Sequence, residues 1–211
     1  MADIEYFYSA HSAFAYLGSA RLMAVAAAAG RAVAHKPMDL HRVMEAVGST
    51  AFRERAKPHR AYFFRREIER WSEHRGAPVM DGRPTHHDNG YTLANTMLIA
   101  AIAQGHDVDR LSHAMLEGHW RDDVDVADRA TLARLAASVD LDAEPLLQAA
   151  PSAEIAALYE ANTAAAIERS VFGSPTYFVD GDMFYGQDRL ELVERSLSQP
   201  YAGDWPKPPM A

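Results

Sequence analysis

The sequence predicts an α/β protein whose strands lie near its two ends, with a large all-helical block inserted between them. Three observations predict this. Residues 4–38 carry strand, helix and strand signals in turn. From Leu40 to Ser170, about 130 residues show helical patterning with no strand signal. From Thr176 onward, two short strand signals and a final helix return.

Ile4-Glu5-Tyr6-Phe7-Tyr8 is aromatic and β-branched, as a half-buried strand requires. Ser9 to Ser12 is a polar break. Ser12 then stands where a helix N-cap belongs, ahead of an apolar, alanine-rich stretch from Phe14 to Ala29 that stops at Gly30. Val33 to Met38 is the second strand, and Pro37 puts it at a sheet edge or at a strand end. The opening is a β-α-β crossover.

The helical block begins with Tyr62, Phe63, Phe64, Ile68 and Trp71, one apolar face among arginines and glutamates. Leu93–Ala103 and Leu111–Trp120 follow as helices. Asp128 caps a helix over Thr131–Ser138, and Asp142 starts another with Pro145 in its first turn. Ser152 opens the last, to about Ser170. Ordinary helix lengths give about five or six helices here.

Thr176–Asp180 is a strand, Asp180-Gly181-Asp182 a hairpin turn, and Met183–Tyr185 the returning strand. Asp188 and Glu191 have the spacing of a capping box opening a helix to about Leu197. Residues 199–211 hold four prolines and a glycine and read as an extended tail. The expected organisation is a discontinuous α/β domain, 1–42 with 168–211, and an inserted helical domain, 43–167.

Composition narrows the function. The net charge is -8 and the pI about 5.6, which argues against nucleic acid or an anionic membrane as partner. The one arginine cluster lies between Arg53 and Arg75. No uncharged run approaches the roughly 20 residues of a membrane helix, and the N-terminus lacks the basic and apolar regions of a signal peptide. The expected location is the cytoplasm. There is no cysteine, which excludes disulfides, iron–sulfur clusters and cysteine-rich zinc sites. Any thiol chemistry must use a thiol from outside. His86-His87-Asp88 are adjacent loop residues that converge poorly on one ion, so no metal is expected. Asp122, Asp123 and Asp125 lack the glycine and distal glutamate of a calcium loop.

With Pro175 directly before the third strand, this layout resembles the thioredoxin fold with a helical insertion, as in DsbA. The redox Cys-x-x-Cys of that fold is here Ser12-Ala13-Phe14-Ala15, so a mixed disulfide cannot form. The resemblance is closer to its cysteine-free branch, the 2-hydroxychromene-2-carboxylate isomerases and kappa-class glutathione transferases. It is carried by Phe7–Leu17, by Val171–Thr176 with Tyr185–Leu190, and more weakly by Asp39-Leu40, Glu69-Arg70-Trp71 and Leu93-Ala94-Asn95.

The resemblance implies glutathione as cofactor, a small aromatic or electrophilic substrate, and a homodimer. Ser12 is the implied catalytic residue. A free thiol has a pKa of about 8.5, and a hydroxyl at a helix N-terminus favours its thiolate. Ser174, before the implied cis-Pro175, offers backbone groups to the cysteinyl part. Asp188 is implied to accept from the γ-glutamyl ammonium, with Tyr185, Gly186 and Gln187 completing the cofactor site. His11, beside Ser12, is either a general base or a polar rim residue.

The chain departs from the family in several places. Ala13 stands where proline is usual, Ser174 where a small apolar residue is, and Tyr185 where tryptophan is common. Glu54 and Arg55 occupy the substrate-pocket positions of an asparagine and an arginine, and Met44 that of a lysine. The expected activity is a glutathione-dependent isomerisation of an aromatic-degradation intermediate such as 2-hydroxychromene-2-carboxylate. A kappa-like transferase that conjugates electrophiles and a non-catalytic thioredoxin-fold binding module are the alternatives. Gly186-Gln187-Asp188 argues against the last, because a peptide-binding module has no use for a γ-glutamyl site.

Overall fold

A computed structural model describes residues 4–49, 54–203 and 205. It has four strands, in the sheet order β2-β1-β3-β4. These are β1 (Ile4–Tyr8), β2 (Val33–Pro37), β3 (Thr176–Val179) and β4 (Asp182–Tyr185). β1 and β2 run parallel, with Tyr8 opposite Pro37. β1–β3 and β3–β4 are antiparallel. Pro37 thus ends an edge strand, where its missing N–H costs least. The β3–β4 turn is Asp180-Gly181, at φ 50° and 94°. Positive φ at both residues matches a primed two-residue turn, and Asp182 already pairs with Val179. The turn is one residue shorter than the sequence suggested.

Helix α1 (Ala13–Ala29) crosses from β1 to β2. Ser12 caps its start, and Gly30, at φ 62°, closes its end with its N–H on Ala26 and Ala27. The helix is apolar on most sides because it packs against helices α4, α6 and α10 around the sheet. α4 is Glu67–Arg75, α6 is Asp109–Arg121, and α10 is Leu190–Ser198. The sheet has two apolar faces. Ile4, Tyr6 and Tyr8 point into the larger core with α1, whereas Phe7 and Phe178 face Met38, Val43 and Val171. That alternation is the period of two that a strand imposes.

The helical block holds α2 (Leu40–Ala46), α3 (Lys57–Ala61), a π-helical segment (Tyr62–Arg66) that runs on into α4, then α5 (Thr92–Ala103), α6, α7 (Arg129–Ala137), α8 (Ala143–Ala149) and α9 (Ala153–Glu168). Counting 57–75 as one helix gives seven among the described residues, against the expected five or six. The additional one is α2, only two turns long, which the sequence did not mark as a helix of its own. Asp39, Asp128, Asp142 and Ser152 cap α2, α7, α8 and α9 through their side chains. One apolar cluster joins Tyr8 and Leu17 to Met97, Leu116 and Leu132, so the sheet and the helical block share a core.

The capping box at Asp188 is corrected by the structure. Gly186, at φ 99°, leads into a 3-10 turn over Gln187–Arg189, and α10 begins only at Leu190. No side chain caps α10. Asp188 instead pairs with Arg189, and Glu191 with Arg75. Among the described residues no helix is long and apolar enough to cross a membrane.

Candidate active site

The site forms where the β1–α1 loop meets the segment before β3. Ser12 is only 8% exposed. Its Oγ accepts the N–H of Ala15 at 3.3 Å and donates to the carbonyl of Ser174 at 3.2 Å. The Ser174–Pro175 peptide is cis, and the Ser174 Oγ accepts the N–H of Ser9 at 3.2 Å. The carbonyl expected to be open to a ligand is therefore held by the Ser12 hydroxyl. The free N–H groups and partial positive charge of the α1 N-terminus lie at the same place.

The β1–α1 loop is fixed from the helical block. The Ala10 N–H donates to Asn95 Oδ1 at 2.9 Å, and the Trp120 indole donates to the His11 carbonyl at 2.8 Å. Asn95 also donates to Met38, tying β2 to α5.

On the other side, the Gly186 N–H donates to the Pro175 carbonyl at 2.9 Å. The Tyr185 ring lies on Gly173, where an added Cβ would come within 2.3 Å of it, and packs edge-on to Phe172. Tyr185 remains 38% exposed. Burial raises its pKa, and the nearby Arg55 opposes that rise. The Asp188 Oδ1 folds back over Gly186, where an added Cβ would meet it at 2.4 Å. Gln187 is buried, and its carbonyl and side-chain oxygen take two donors from Arg75, at 3.1 and 3.2 Å. Arg75 also pairs with Glu191 at 2.8 Å and stacks over Trp71 at 5.2 Å. It clamps α4 to the Gly186–Asp188 turn.

A helix N-terminus faced by a cis-proline loop, on a β-α-β…β-β-α frame, is the arrangement that decides the family. A sequence profile for the DSBA-like thioredoxin domain matches residues 3–198. The chain belongs to that family.

Within the DSBA-like family, a relative is the 2-hydroxychromene-2-carboxylate isomerase of Sphingobium xenophagum, 26% identical over 195 residues, covering 92% of this chain and 97% of the relative. The protein of the same name from Pseudomonas putida is 23% identical, covering 93% and 94%. Among solved structures, a 2-hydroxychromene-2-carboxylate isomerase superposes with a TM-score of 0.77 at 23% identity, over 93% of this chain and 94% of that one. A probable DsbA oxidoreductase from Streptomyces coelicolor gives 0.75 at 19%, over 100% and 94%. These two superpositions show a shared DSBA-like fold.

The three positions expected from resemblance at a substrate pocket separate in the DSBA-like frame. Arg55 comes close to the site, 5.7 Å over the Phe64 ring and within electrostatic reach of Tyr185. Glu54 is exposed, and Met44 is half-buried on α2. Phe63 packs on Phe14, 5.0 Å ring to ring, so the π-helical segment brings aromatic side chains to the start of α1.

His11 is not a rim residue. It is 7% exposed, stacked flat on Tyr91 at 4.0 Å, with Nδ1 2.8 Å from the Ser9 hydroxyl. The His87 ring is 5.0 Å away. The His87 Nδ1 lies 2.9 Å from Nε2 of the buried His119, whose Nδ1 is 3.0 Å from the Val124 carbonyl. Burial holds all three imidazoles below their usual pKa, His87 down to about 3. Among the described residues no three His, Cys, Asp or Glu side chains converge to hold a metal ion. Sequence reasoning missed Arg75 and the His87–His119 pair. Arg75 sits in an arginine cluster with no local mark, and the two histidines are 32 positions apart.

Proposed function

We propose that this protein is a glutathione-dependent isomerase of an aromatic-degradation intermediate of the 2-hydroxychromene-2-carboxylate class. The observation that carries the reading is the Ser12 hydroxyl, placed at the α1 N-terminus against the cis-proline loop in a chain without cysteine. The donor set suits a cysteinyl tripeptide. Ser12 Oγ–H and the first N–H groups of α1 favour an anionic sulfur. Asp188, with its carboxylate partly exposed above Gly186, suits an ammonium.

Glutathione supplies a thiolate whose reversible addition to a conjugated carbon turns a double bond single and lets it rotate, after which the thiol leaves unconsumed. The protein's own work is positional. Ser12 turns its proton from the Ser174 carbonyl to the sulfur. Arg75 holds the Gly186–Asp188 turn in place beside it. Phe14 and Phe63 offer an aromatic wall, and Arg55 a cation for a substrate carboxylate.

Purified protein is assayed with 2-hydroxychromene-2-carboxylate and, separately, a chlorodinitrobenzene, each with and without glutathione. Isomerisation without loss of glutathione supports the reading, whereas stoichiometric conjugate makes the protein a kappa-like transferase. No glutathione binding by calorimetry overturns both. The Ser12→Ala variant should keep its fold and raise the bound thiol's pKa by about one unit, the loss of roughly 1.4 kcal/mol of preference for the anion. An unchanged thiol pKa would remove Ser12 from that role.

A further inference from the structure

The buried histidines behind Ser12 have a fixed order of donors and acceptors. The Val124 carbonyl can only accept, so His119 carries its proton on Nδ1. The neutral His119 therefore presents Nε2 as an acceptor, and His87 must donate to it from Nδ1. In neutral His87 the remaining lone pair is then on Nε2. His11 lies 5.0 Å from His87 ring to ring, with the two planes tilted by 37° and no hydrogen bond between them in the resting structure. The Ser9 hydroxyl at Nδ1 orients His11, and Trp120 holds its backbone next to Ser12.

We propose that His11, His87 and His119 form a proton relay that takes the proton released when a thiol ionises at Ser12 and stores it on His119. This rests on the thiol-dependent reading above. The thiol proton passes to the Ser9 hydroxyl oxygen as Ser9 gives its own proton to Nδ1 of His11, so an S–H bond breaks and an N–H bond forms on His11. His11 passes its Nε2 proton to Nε2 of His87, which gives its Nδ1 proton to Nε2 of His119. The resulting imidazolium is bonded to the Val124 carbonyl and faces Asp123 and Asp125, with His86 opposing them. The reverse sequence returns the proton when the thiol is expelled, so nothing is consumed.

The surroundings favour such an outward direction. His11 faces His41 from α2, Arg83, His87 and Tyr91 from the loop before α5, and His119 from α6. Arg83 and His41 also oppose a charge on His87, and Asp88 favours it. Burial lowers the proton affinity of all three rings, and only at His119 do a backbone carbonyl and two carboxylates, Asp123 and Asp125, oppose that loss. Burial keeps His11 and His87 neutral at rest, which leaves their lone pairs open to accept.

The test compares wild type with His87→Gln in the glutathione-dependent isomerisation. The variant should lose kcat about 10²-fold, keep its KM for glutathione, and recover rate in proportion to added imidazole. An unchanged kcat overturns the relay, and so does a loss that imidazole does not rescue. Should the variant fail to fold, imidazole nitrogen shifts in the wild-type protein read the tautomers directly. Nδ1–H on both His87 and His119 supports the relay, and Nε2–H on His87 overturns it. A wild-type protein that neither binds glutathione nor turns over instead sinks the functional reading and the relay together.

Discussion

Two histidine networks lie near β1, and they end differently. In one, the Tyr8 hydroxyl meets His35 Nδ1 at 3.0 Å, and His35 Nε2 meets Asp109 at 2.8 Å. In the other, His87 meets His119, and His119 meets a backbone carbonyl. The first finishes on a carboxylate at the start of α6 and joins β1 and β2 to that helix. The second finishes on a neutral dipole, with its carboxylates outside the hydrogen-bonded chain. A carboxylate terminus locks a histidine in place, whereas a carbonyl terminus fixes only the tautomer. The first network thus reads as a strut, and the second as a path.

The largest effect expected from this contrast is acid sensitivity. The folded pKa of His87, about 3, lies below its ordinary value of 6.5. The unfolded chain therefore binds protons first as pH falls. Stability from this group is complete above about pH 6.5 and is lost as pH falls from there towards 3, at about 1.4 kcal/mol per pH unit. His11 shifts in the same direction and adds to the loss. Urea midpoints at pH 7.5 and 5.5 measure it, and a flat midpoint would remove the buried neutral cluster. Next in size is Asp109→Leu, which leaves the His35 Nε2–H without its acceptor. A loss of about 1–3 kcal/mol is expected in the same urea assay, with glutathione affinity unaltered. A fall in affinity would show that the strut reaches the site. The smallest is Tyr8→Phe, expected to cost about 1 kcal/mol, because it removes one hydrogen bond and little volume. A loss above that of Asp109→Leu would reverse the order of importance along the network.

Most of the frame was legible in the sequence because its signals are local. Ser12 and Gly30 bracket α1 by their own chemistry, and Asp180-Gly181 dictates the hairpin. The Ser12–Pro175 meeting was legible only through resemblance, since it joins positions 162 and more apart. Asp188 shows where local reading fails. Its spacing to Glu191 is that of a capping box, but Gly186 diverts the chain into a 3-10 turn, and Arg75 and Arg21 draw Glu191 away. Arg75 itself was illegible. Among the arginines of its stretch it is set apart by its tertiary contacts with Gln187 and Glu191.

The Ser12 hydroxyl has one proton, and in the resting protein that proton is already given to Ser174. An alcohol or a water arriving there offers an acceptor no better than the carbonyl it must displace. An anion does better, because a charge-assisted hydrogen bond is roughly twice as strong as a neutral one. The internal bond therefore sets a threshold that screens ligands by ionisation rather than by shape. The hydroxyl analogue of glutathione, identical in outline but not ionised, should be turned away where the thiol is kept.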